Sequence, residues 1–76
     1  MALKSDRKMT LSQYAAAVGL HPEELARLAD VPALTVRIAN GGHPIAQKHA
    51  DKILATLSRE HGRLITASDI GHFHTC

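Results

Sequence analysis

The stretch Pro22–Gly41, PEELARLADVPALTVRIANG, decides how the chain folds. It reads as two short helices joined by a tight turn. Leu25, Ala26 and Ala29 give the first helix a narrow apolar face at helical spacing. Asp30-Val31 supplies the turn, and Pro32 restarts the chain, so a second helix is predicted over Pro32–Asn40, stopping at Gly41-Gly42. Val36 and Ala39 form its inward side. Helices that cross closely need a small residue at the contact, and Ala26 is placed to be it.

On the N-terminal side, Thr10-Leu-Ser-Gln13 fits a capping box. It predicts a helix over residues 11–18 with Leu11, Tyr14, Ala15 and Val18 on one face and Gly19 as its left-handed C-terminal residue. Pro22 suits a first turn, where a missing amide costs nothing, and Glu23 and Glu24 complement the positive end of that helix. On the C-terminal side a longer helix is expected from near Pro44. Ile45, His49 or Ala50, Ile53, Leu54 and Leu57 recur along it at three and four, and Arg59 and His61 precede its end at Gly62. Thr66-Ala-Ser-Asp69 is a second possible capping box, opening a short fifth element around Ile70. Residues 1–9 lack apolar periodicity and read as an arm, and 71–76, GHFHTC, carry no assignable pattern and read as a tail. The expectation is an all-α, compact five-helix bundle over residues 10–70.

Composition narrows the function. A chain of 76 residues with 45% hydrophobic content makes one small domain. Tyr14 and Phe73 are its only aromatic residues, which argues against a stacking platform for single-stranded nucleic acid. The single cysteine, Cys76, excludes an internal disulfide and suits a reducing cytoplasm. No apolar run approaches the roughly 20 residues of a membrane span, and no secretory signal is visible. Lys4, Arg7 and Lys8 against Asp6 give the first eight residues the whole net charge of +2, and beyond them six basic and six acidic residues balance. A basic arm on a neutral body suits a polyanionic partner. His72, His74 and Cys76 are metal-capable but lack the paired spacing of a structural zinc site, so no metal or cofactor is expected. Dispersed Ser and His residues offer no activated nucleophile, and no enzyme activity is expected.

The run Gly19-Leu20-His21-Pro22-Glu23-Glu24-Leu25-Ala26, with Ala29-Asp30-Val31-Pro32, Thr35-Val36 and Asn40-Gly41, resembles the phage lambda repressor/Cro-type (Xre) helix-turn-helix DNA-binding domain. The resemblance extends from Leu11 to about Ile70, with Asp30 where that family usually has a turn glycine. It implies that helix 32–40 enters the major groove of double-stranded DNA. In that placement Ala33, Leu34, Arg37 and Ile38 face base edges, with Thr35 at the flank. Arg37 is the residue able to grip a guanine edge bidentately, and Ala33 and Leu34 suit thymine methyl groups. Phosphate contacts are expected from Lys4, Arg7, Lys8, Arg27, Gly42, His43, Gln47 and Lys48. A charged His43 facing phosphate would favour binding at mildly acidic pH.

A rival placement uses Tyr14-Ala15, Gly19-Leu20 and Leu25 and makes His21–Leu28 the reading helix. It would thrust Glu23 and Glu24 at phosphates, and it is set aside on Coulombic grounds. One short helix reads few bases, so a homodimer on an inverted repeat is expected, with Leu64, Ile65, Ile70 and Phe73 as its interface. The implied function is a cytoplasmic transcriptional regulator, a repressor first of all, with no small-molecule effector. The alternative is a helical protein-interaction module, such as an antitoxin or adaptor, favoured by the apolar Ala33-Leu34 pair.

Overall fold

A computed structural model of the chain describes residues 9–75. Among them are four α-helices and no strand: α1 (Leu11–Ala17), α2 (Pro22–Ala29), α3 (Ala33–Asn40) and α4 (Gln47–His61). The expected fifth helix is a single 3-10 turn, Ala67–Asp69. Its capping contacts do form, since the Thr66 amide donates to Asp69 Oδ2 at 2.8 Å. Ile70 then leaves in an extended conformation, so nothing propagates the turn. None of the described helices is long and apolar enough to cross a membrane.

One device ends all four helices. In each, a residue two or three positions past the helix end donates back five positions: Leu20 to Ala15, Val31 to Ala26, His43 to Ile38 and Arg63 to Ser58. That is the Schellman closure, which needs a left-handed residue just before the donor. Gly19, Gly42 and Gly62 fill that place in three helices, and Asp30, at φ 60 and ψ 47, fills it in the fourth. A left-handed conformation costs a residue bearing Cβ, with Asp among the more tolerant. Val31, swung inward by this closure, is buried beside Ala26 in the core.

The core is a single cluster. Leu11, Tyr14 and Ala15 come from α1, Leu25, Ala26 and Ala29 from α2, Val36 and Ala39 from α3, and Ala50, Ile53 and Leu57 from α4. Val18, expected on the inward face of α1, is its half-buried C-cap. Pro32 caps α3 from outside the helix.

The largest departures lie at the C-terminal end. The chain does not become helical at Pro44: α4 begins three residues later, at Gln47. Ile45 is buried in an extended segment instead, where its amide donates to the His74 carbonyl at 3.2 Å and it pairs with Thr75 as an isolated parallel bridge. Residues 71–75 are therefore integrated: Gly71 donates to the Met9 carbonyl at 2.9 Å, and Phe73 joins the core. Ser58 folds the chain back after α4, with its hydroxyl accepting from the Ile65 amide at 2.8 Å.

Candidate functional site

α3 and its flanks form the surface singled out by the sequence. Its inward row is Val36 and Ala39, both buried, so the helix turns Leu34 and Arg37 outward. Leu34 is 63% exposed and the Arg37 side chain 66%. Ala33 and Ile38, expected on the same outward row, are only half exposed and lean against the core. Thr35 is half-buried at the flank. The outward face is thus narrower than the sequence implied. Arg37 is its only basic side chain.

Arg37 has a neighbour the sequence reading missed. Its Nη2 lies 3.6 Å from Glu23 Oε2, joining the outer face of α3 to the first turn of α2. Glu24 points elsewhere, and its Oε1 accepts from the His21 amide at 3.0 Å to cap α2. The two carboxylates therefore have different jobs. Fourteen positions separate Glu23 from Arg37, so no local spacing signalled the pair.

Asn40 was also missed. At the end of α3 its Oδ1 accepts from the Ser12 amide at 3.0 Å and so takes one of the orphan donors at the start of α1. Two further amides are handled locally, with Gln13 donating its own to Thr10 Oγ1 and Thr10 donating its own to Gln13 Oε1. The end of α3 is thereby tied to the first turn of α1.

The residues expected to contact phosphate differ in their surroundings. Arg27 is exposed on α2, and His43 and Lys48 are exposed on the α3–α4 loop and α4. The Gln47 carboxamide donates to Asp51 Oδ1 at 2.8 Å within α4, so that donor is already used. Gly42 is half-buried, and a Cβ there would sit 3.6 Å from the His72 Cβ, which makes it a packing point as well as a turn. Lys4, Arg7 and Lys8 lie outside the described residues.

The proposed dimer patch is corrected by burial. Ile65 is 1% exposed, Ile70 3% and Phe73 7%, all three inside the protomer's own core. A small domain has few large apolar residues and uses them internally first. Leu64, at 76% exposed, is what remains of the patch. At the end of α4, His61 Nε2 donates to the Tyr14 carbonyl at 2.9 Å, and its ring meets Tyr14 edge-on at 5.4 Å, so this histidine locks α4 to α1. Among the described residues no group of His, Cys, Asp and Glu is arranged to hold a metal ion. No family model, curated protein or solved structure matches the chain.

Proposed function

We propose that this chain is a sequence-specific double-stranded DNA-binding regulator in which α2 and α3 form a helix-turn-helix and α3 enters the major groove. The observation that carries the reading is the outward face of α3. A short helix, fixed by a closed turn and a buried Val36–Ala39 row, holds an exposed arginine where a groove would receive it. Arg37 offers a guanine edge two parallel donors, and Leu34 beside it offers a thymine methyl an apolar contact. Arg27, His43 and Lys48 supply flanking contacts to phosphate, joined by the basic residues of the first eight positions.

The regulator acts as a homodimer on an inverted repeat, because one eight-residue helix touches too few bases for specificity. Its interface is not the Ile65, Ile70 and Phe73 cluster, which the protomer has already buried. A repressor is the simplest form of such a regulator, since occupying a site requires no further domain.

A second reading is favoured by apolar exposure on α2 and α3. Leu34 on α3 and Leu28 on α2 (44% exposed) are large side chains left in water, as they would be at a surface that docks a protein. Titrating salt against binding to random duplex DNA separates the two. DNA binding predicts a linear fall of log K with log salt, with a slope of about 0.9 for each phosphate contact. Absence of binding at low salt, or a flat response, rejects the DNA reading in favour of a protein partner.

A further inference from the structure

The carboxylate of Glu23 stands between two roles on this surface. It sits in the first turn of α2, where it complements the helix dipole. It also lies 3.6 Å from the Arg37 guanidinium. Glu24, its neighbour, already accepts from the His21 amide, so Glu23 is the carboxylate of that turn that faces α3. Both partners are well exposed, at 66% and 74%, and an ion pair of this kind is weak. It is strong enough to compete with one loose arginine–phosphate contact, and too weak to outlast a bidentate arginine–guanine contact. Non-specific DNA offers only a phosphate contact in exchange for separating the pair.

We propose that Glu23 is a specificity-determining residue that acts through Arg37. It holds the guanidinium in an intrachain pair that only a correctly placed base edge displaces, which suppresses binding to random sequence. This rests on the DNA-binding reading above. Glu23 is therefore a positioning residue, and its effect must vanish when Arg37 is absent.

The test is a double-mutant cycle of Glu23→Gln, Arg37→Ala and the combined variant, each titrated with salt against random duplex DNA. Glutamine keeps the size and the helix while removing the charge. The expected result is that Glu23→Gln tightens random-duplex binding about fivefold at low salt, the upper range for an exposed pair. The same change steepens the salt slope by about one, as Arg37 is freed to take a phosphate. In the Arg37→Ala background the same substitution changes neither quantity appreciably. An equal gain in that background would show Glu23 acting as a bulk charge and overturn the proposal. An unchanged affinity in Glu23→Gln, with wild type binding DNA, would overturn it as well. If wild type and all variants fail to bind at low salt, the DNA-binding reading itself falls and takes this inference with it.

Discussion

Replacing Phe73 with alanine tests whether the last residues belong to the folded body. The ring is 7% exposed within a core that also holds Ile45 and Ile70, and its segment is tied down by the Ile45–His74 and Gly71–Met9 hydrogen bonds. Truncating a buried phenylalanine costs about 3–5 kcal/mol. A ring at the edge of the core, on a terminal segment that can close in, falls at the lower end, about 3 kcal/mol. A domain of this length has about 4–11 kcal/mol of total stability, so the loss is a quarter to most of it. At about 4–8 °C per kcal/mol, Tm falls by about 12–24 °C. The assay is urea unfolding followed by helical circular dichroism, run at two protein concentrations a hundredfold apart. The midpoint of the variant drops equally at both. If the ring served a dimer contact instead, the loss would appear at high concentration and disappear on dilution. That result would refute the internal placement of residues 71–75.

Other substitutions follow from the helix ends and the arm. Asp30→Gly relieves the left-handed aspartate at the α2 closure and loses an exposed 3.8 Å pair with Lys52. With the extra freedom of glycine in the unfolded chain set against that relief, it stabilises by about 0.5 kcal/mol in a thermal melt. A clear destabilisation would mean that the Lys52 pair outweighs the strain. Asn40→Ala removes the acceptor for the Ser12 amide and costs about 1 kcal/mol, whereas Asn40→Asp keeps the acceptor and retains stability. Equal losses in both variants would contradict the capping role. Deleting residues 1–8 removes the whole formal net charge, so it weakens binding to all duplex sequences alike and flattens the salt slope. A change in sequence preference instead would mean that the arm reads bases.

Local chemistry made much of the helical layout legible. The Thr10–Gln13 box, the glycine stops and the periodic rows of α1, α2 and α4 depend on neighbours within a few residues, and they placed four helices to within about three residues. What escaped depends on long sequence separation. Ile45 looked like the first apolar residue of α4, but its pairing with Thr75 holds it extended. Phe73 sat in a polar run with no periodicity, and its burial was detectable only from the scarcity of large apolar residues in so short a chain. Ile65 and Ile70 were read as a surface patch, but the fifth element expected from Thr66 is only a 3-10 turn, and the residues on either side of it fold into the core. On the candidate site, α3's exposed pair Leu34 and Arg37 followed from helical geometry. The Glu23–Arg37 and Asn40–Ser12 contacts depend on how the helices are set against one another, which no local spacing encodes.

The central claim, that α3 reads bases through Arg37, is tested most directly by selecting bound sequences from random duplex DNA with wild type and Arg37→Ala in parallel. Wild type is predicted to enrich a two-fold symmetric site whose half-sites each hold one strongly preferred guanine. Arg37→Ala loses that preference alone, at a cost of about 1–3 kcal/mol for the base pair. No enriched sequence with wild type, or the same sequence with both proteins, would contradict it.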